Sequence, residues 1–206
     1  MGQTRDATRT RQKIMEAALE EFAAHGVAGA RVEAIALRAG VRKQLLYHYF
    51  PSKEALLDDV LQRAVRDKLE AISQGGDLGA LMQARFAVAA RDPQLLRLLM
   101  WEALEYPATE QIVAEAERRQ SARQQTDAIV AGQQRGELPA DFRPELLQMA
   151  LVALASFPLS FPQISLMLLG RTPDDPAFQA EWTEFLGEIG RRMSPQLNTC
   201  KIIPSD

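Results

Sequence analysis

Residues 31–50, RVEAIALRAGVRKQLLYHYF, constrain the fold more than any other stretch of the chain. Val32, Ile35 and Ala36 sit at helical spacing, and so do Leu46 and Phe50, with Ala39-Gly40-Val41 between the two sets. Gly40 can take a positive φ, which a tight turn between helices often needs. The pattern predicts a helix over residues 31–38, a glycine turn, and a second short helix over residues 42–50. That is helix-turn-helix spacing.

The second helix carries unusual equipment. Arg42, Lys43 and Gln44 open it. In a helix-turn-helix the N-terminal end of the second helix faces base edges in the major groove. Arg and Lys donate to guanine O6 and N7, and Gln bonds bidentately with adenine. Leu46 and Phe50 are expected to anchor the helix inward. Tyr47, His48 and Tyr49 carry polar tips on aromatic bodies, which suits contact with sugar and phosphate. Lys53 falls at the start of the next helix, where free backbone N–H groups already favour an anion. The same pattern also fits an ordinary pair of packed helices, so spacing alone leaves both readings open.

The rest of the chain reads as helix. Ile14, Met15, Ala18, Leu19 and Phe22 form one face of a first helix, which Gly26 ends with His25 in its last turn. Ser52 is placed to cap a helix from Lys53 to about Ile72, with Leu56, Leu57, Val60, Leu61, Val65 and Leu69 as its apolar stripe. A loop follows over residues 73–77. Further helices are expected over residues 77–90, 93–107, 108–134, 144–157, 163–169 and 177–193. The one opened by Pro144 is apolar nearly all round and calls for burial on every side. The last aligns Phe178, Trp182, Phe185, Ile189 and Met193 along one side. No alternating strand pattern interrupts the series, so the expected class is all-α.

Charge is uneven. Residues 1–50 hold eight Lys/Arg against five Asp/Glu, a balance of +3, while the whole chain stands at −3. A basic front and an acidic rear permit polyanion binding at one end only. The single cysteine, Cys200, allows no intrachain disulfide. Residues 1–13 lack an apolar leader core, and no run reaches eighteen uncharged apolar residues, so no membrane partner and a cytoplasmic location are expected. The two histidines, His25 and His48, both belong to the front. No nucleophile–base set, metal-ligand set or glycine-rich phosphate loop stands out, so the expectation is no enzyme, no metal and no cofactor.

Several short pieces together carry a family likeness. They are Ile14 with Ala17-Ala18, Phe22 followed by Gly26, Ile35-Ala36 leading to Ala39-Gly40-Val41, Leu46-Tyr47, His48-Tyr49-Phe50, and Ser52-Lys53 with Leu56. Residues 11–57 thereby resemble the N-terminal domain of the TetR family of transcriptional regulators. The resemblance implies a DNA-binding head over residues 1–52 and an effector-binding and dimerisation domain over residues 53–206. It also implies a homodimer, a palindromic double-stranded DNA operator, and repression relieved by a small molecule. Tyr47, His48 and Lys53 match backbone-contacting positions of the family, and Arg42, Lys43 and Gln44 match positions that face the groove. This sequence departs from the family pattern where Arg42 replaces a small hydroxyl residue, Gln44 a glycine and Leu45 a threonine. Arg31 stands where Thr or Ser is common and would exchange a hydroxyl–phosphate bond for a charged one. The operator is therefore expected to differ from those of typical members.

The resemblance further implies an effector pocket between the fourth and eighth helices. Phe86, Met100, Trp101, Tyr106, Met149 and Phe157 are the candidate lining residues by apolar or aromatic character and placement, which points to a lipophilic or aromatic effector. Leu147, Leu151, Leu154, Trp182, Phe185 and Ile189 are the candidate dimer interface, on the two helices that would pair with their symmetry mates. The alternative is a helical dimer that binds ligands or proteins without operator control.

Overall fold

In a computed structural model the described residues are 2–71, 76–106 and 112–194, and they contain helices and no strand. The order is α1 (Gly2–Gly29), α2 (Val32–Ala39), α3 (Lys43–Tyr49), α4 (Lys53–Ala71) and α5 (Leu78–Arg91). These are followed by α6 (Gln94–Glu105), α7 (Glu115–Gln134), α8 (Pro144–Ser160), α9 (Pro162–Leu169) and α10 (Pro176–Met193). The all-α expectation holds. The side chain of Leu69, the expected loop residues 73–75, the junction at Pro107 and Ala108, and Cys200 lie outside the described residues.

Local chemistry sets most boundaries. The helical path of α1 breaks at Gly26, with φ 72° and ψ 175°. Gly40 ends α2 in the left-handed region, and its N–H reaches back to the carbonyls of Ala36 and Leu37. The Ser52 hydroxyl accepts from the Ala55 N–H at 3.1 Å and caps α4. Asp77 and Asp175 cap α5 and α10 in the same way. Proline opens α8, α9 and α10, where its missing N–H costs nothing. One boundary differs from expectation. The helix expected from Ala108 begins at Glu115, because Ala114 turns left-handed just before it, at φ 52°. Its N–H is held by Asp58 of α4 and that of Val113 by Glu102 of α6, so other helices fix this start.

Two buried clusters organise the molecule. The first joins Ile14, Ala18 and Phe22 of α1 to Ile35 and Ala36 of α2, Leu46 and Phe50 around α3, and Leu56, Leu57 and Leu61 of α4, and it continues into Leu95 and Leu98 of α6. Helices as short as α2 and α3 have no stability of their own. Full burial of Leu46 and Phe50 supplies roughly 1.5–3 kcal/mol per side chain to hold α3 in place. The second cluster joins Leu78, Met82 and Phe86 of α5, Ile129 of α7, Leu147 and Leu151 of α8, and Phe178 and Leu186 of α10. No single described helix is long and apolar enough to cross a membrane; α8 and α9 reach that length and composition only together, with a bend of 78° between them.

Candidate nucleic-acid interface

One side of α3 is buried and the other is open. Leu46 and Phe50 are 1 % exposed. Arg42, Lys43, Gln44, Leu45, Tyr47 and His48 are all exposed, while Tyr49 is half-buried against the first core. Arg42 occupies the cap position with an extended backbone, so its side chain leaves the helix at its N-terminal end. Lys43 pairs with Glu33 of α2 at 2.5 Å and lies 5.8 Å from the centre of the Tyr47 ring. This contact draws the Glu33 carboxyl below its usual range and pushes the Lys43 ammonium up. A fully exposed pair of this kind is readily exchanged for another anion. Arg31 is exposed at the N-cap position of α2, and its side chain makes no capping bond. Lys53, half-buried at the start of α4, donates to the Ala28 carbonyl at 3.4 Å.

The pose of α2 depends on an acid that the sequence did not single out. Glu21 is 3 % exposed. It accepts from the Arg31 N–H at 3.3 Å and from the Arg38 guanidinium at 3.4 Å, tying α1 to α2. Arg11 of α1 bridges to Asp59 of α4 at 2.5 Å and lies over the Phe50 ring. On the opposite side, α6 grips the break in α1. Glu105 accepts from the N–H groups of Val27 and Ala28 at 3.0 and 3.1 Å, and the Trp101 indole N–H donates to the Ala23 carbonyl at 3.3 Å. The helices carrying α3 are thus fastened to both α4 and α6.

A half-open cleft of about 200 Å³ lies among α4, α5, α6, α7 and α8. Apolar side chains line it from α4, α5, α6 and α8, including Val65, Ala89, Leu95, Leu99 and Val152. Arg85, Arg118, Ser121, Gln125 and Gln148 line it as well, so it is more polar than the sequence led one to expect. None of the six residues expected there is among its lining. Phe86 is buried in the second core, and Tyr106 packs against the first. Met100 and Trp101 are half-buried on α6, and Met149 and Phe157 are exposed on α8. Arg85 went unnoticed, although a lone cation on the apolar stripe of α5, beside Met82, Phe86 and Ala89, was visible in the sequence.

The residues expected at a dimer interface divide between two faces. Leu147 and Leu151 face the protomer's own second core. Leu154, Trp182 and Ile189 are half-buried beside it. Phe185 is exposed, with its ring 5.3 Å from that of Trp182. Other exposed apolar side chains of these helices are Leu146, Met149 and Phe157 of α8, Leu166 to Leu169 of α9, and Met193 of α10.

Residues 14–60 match the profile of bacterial regulatory proteins of the tetR family, and residues 77–192 match the tetracyclin repressor-like C-terminal domain. The HTH-type transcriptional repressor SCO4008 of Streptomyces coelicolor is 36% identical over 167 residues, which is 81% of this chain and 86% of that protein. The HTH-type transcriptional regulator RutR of Escherichia coli is 45% identical over 60 residues, 29% of this chain and 28% of that one. Among solved structures, SCO4942 from Streptomyces coelicolor superposes with a TM-score of 0.73 at 30% identity, covering 87% of this chain and 97% of that one. The fatty acid degradation regulator FadR from Bacillus halodurans superposes with a TM-score of 0.64 at 20% identity, covering 86% and 94%, and shares the fold alone.

Proposed function

The chain belongs to the TetR family of bacterial regulatory proteins, and from that premise we propose that it is a homodimeric repressor released from a palindromic operator by a small, largely apolar molecule. That it is a DNA-binding, ligand-responsive transcriptional regulator rather than an enzyme follows from the family match over both parts of the chain. The finer reading assigns operator binding to residues 1–52, and effector binding and dimerisation to residues 53–206. It places the protein in the cytoplasm, with its DNA.

One observation carries the operator assignment: α3 is anchored by two fully buried side chains while its first three residues and its Tyr47–His48 edge stay open. Arg42 and Gln44 are the base readers in this reading. Lys43 joins them once the Glu33 pair gives way to DNA, and Arg31, Tyr47, His48 and Lys53 hold phosphates. Leu45, which is partly exposed, replaces a hydroxyl with an apolar surface that suits a thymine methyl. The two heads of a dimer read two symmetric half-sites, hence the palindrome.

Operator selection on wild type and on Arg42→Ala, Gln44→Ala and Lys53→Ala at two salt concentrations tests the division of labour. Arg42→Ala or Gln44→Ala should cost about 1–3 kcal/mol and relax preference at one position per half-site. Lys53→Ala should weaken specific and non-specific DNA alike and reduce the salt slope by about 1. Unchanged selection profiles in both the Arg42 and Gln44 variants would move base reading to other residues. A mobility shift on the protein's own promoter separates this function from ligand binding without operator control.

Release is assigned to the cleft among α4 to α8. Helix α4 starts beside the head at Lys53 and reaches the cleft at Val65, and α6 runs from Leu95 and Leu99 in the cleft to Glu105 on the head. A ligand that fits one spacing of these helices better than another shifts the separation of the two heads.

A further inference from the structure

Arg85 is a buried cation of the cleft that no acid among the described residues pairs. It lines the cleft at 5 % exposure, and its Nε has no hydrogen-bond partner. Its Nη1 makes only a long bond of 3.5 Å to the Leu81 carbonyl of its own helix. Burial without a compensating charge pushes the guanidinium below its usual range. A buried cation with no partner is costly, and such groups are normally paired.

The buried acid that pairs with the other cation of the cleft is fully engaged. Glu102 is buried and takes Arg118 at 2.6 Å, together with the Val113 N–H at 2.9 Å. Arg118, the other cation lining the cleft, is neutralised by that bond, and Arg85 is not. No salt bridge to Arg85 exists among the described residues. Gln148 accepts from the Thr126 hydroxyl with its amide oxygen, which leaves its NH2 group as a second donor lining the cleft. The remaining walls are largely apolar.

We infer that the cleft takes a small monoanionic organic acid, whose carboxylate pairs with the Arg85 guanidinium while its apolar body lies against Val65, Leu95, Leu99 and Val152. A planar carboxylate matches the guanidinium fork and accepts from the orphaned Nε. One unmatched positive charge suits one negative charge. A phosphate monoester would bring a second charge with no cation to meet it. This inference rests on the cleft being the effector site, and it adds the ligand's chemical class to that reading.

The test uses the full-length protein with 4-phenylbutyrate, 2-naphthoate and octanoate, and with the matching amides and amines. Calorimetry reads binding, and operator affinity is read in parallel. At least one acid should bind wild type about 10- to 100-fold more tightly than its amide. Arg85→Gln and Arg85→Met should abolish that preference, and Arg85→Met without ligand should melt above wild type because an unpaired buried charge has gone. The inference is overturned if no acid binds wild type, if amides or amines bind as tightly as acids, or if both variants keep the preference. The acid–amide comparison on wild type stands even if a variant fails to fold. Acids that bind through Arg85 without changing operator affinity would leave the carboxylate assignment intact and remove the switching role. Amines or amides that release the operator would leave the switching role intact and remove the carboxylate.

Discussion

Gly190→Ala should destabilise this protein by about 3 kcal/mol or more, a large share of the 5–15 kcal/mol typical of a folded domain. Helices α5 and α10 cross with their backbones in contact. A Cβ at Gly190 would lie 2.1 Å from the Gly79 nitrogen and 2.2 Å from its Cα. Both are backbone atoms of another helix, so no rotamer change relieves the clash, and the helices must separate. Separation would pull Phe178 and Leu186 away from Leu78 and Met82. Two control substitutions isolate the cause. At Gly187 the added Cβ meets the Gln83 amide at 2.5 Å, the far end of a flexible side chain that can move once it gives up its bond to the Thr183 carbonyl. At Gly136 nothing lies within 4 Å, and only the positive φ of 74° resists alanine. Both should cost about 1 kcal/mol. In thermal melts Gly190→Ala should fall by roughly 6–12 °C. A Gly190→Ala midpoint no lower than those of the two controls would show that the crossing is loose.

The tight crossing was not legible in the sequence, whereas the turn at Gly40 was. Gly40 sits between two apolar sets whose spacing already announces helices, so its role is local. Gly79 acts only through Gly187 and Gly190, more than a hundred residues away, and nothing in either neighbourhood names the partner. The same distinction separates the other successes from the omissions. Leu46, Phe50 and the Ser52 cap could be read from spacing and side-chain chemistry within a few residues. The partners of Glu21, Glu102 and Glu105 could not, because each carboxylate accepts from a backbone N–H on another element. The cleft shows the limit most clearly. Apolar and aromatic character drew attention to Phe86 and Trp101, yet both pack elsewhere. The side chains that line the cleft include Arg85, Gln125 and Gln148.

Helix α8 posed a different ambiguity, and its resolution sets up the other large effect. A helix apolar all round has no phase, so the sequence could not say which face its own protomer covers. The structure gives Leu147, Leu151 and Ala155 to the internal core, turns Val152 into the cleft, and leaves Leu146 and Met149 outside. An open apolar face of this kind, with further exposed apolar side chains on α9 and at Phe185, marks an interaction surface. The dimer expected of the family places a second copy of the same face upon it, and two-fold symmetry then doubles any charge introduced there. Met149 is 68 % exposed, so Met149→Glu should leave the isolated protomer nearly as stable as before. In the dimer it would bury two unpaired carboxylates, at a cost of several kcal/mol for each. The variant should sediment as a 22.9 kDa monomer at micromolar concentration, where wild type should sediment as a dimer. Its operator affinity should fall by about 10²- to 10⁴-fold, because the second head no longer binds as part of one molecule. Leu147→Ala should behave in the opposite way, losing about 2–5 kcal/mol of protomer stability while the outer face still pairs. A Met149→Glu protein that remains dimeric would place the seam on another face. A Leu147→Ala protein that dissociates without a fall in melting temperature would show that α8 turns its other side to the partner.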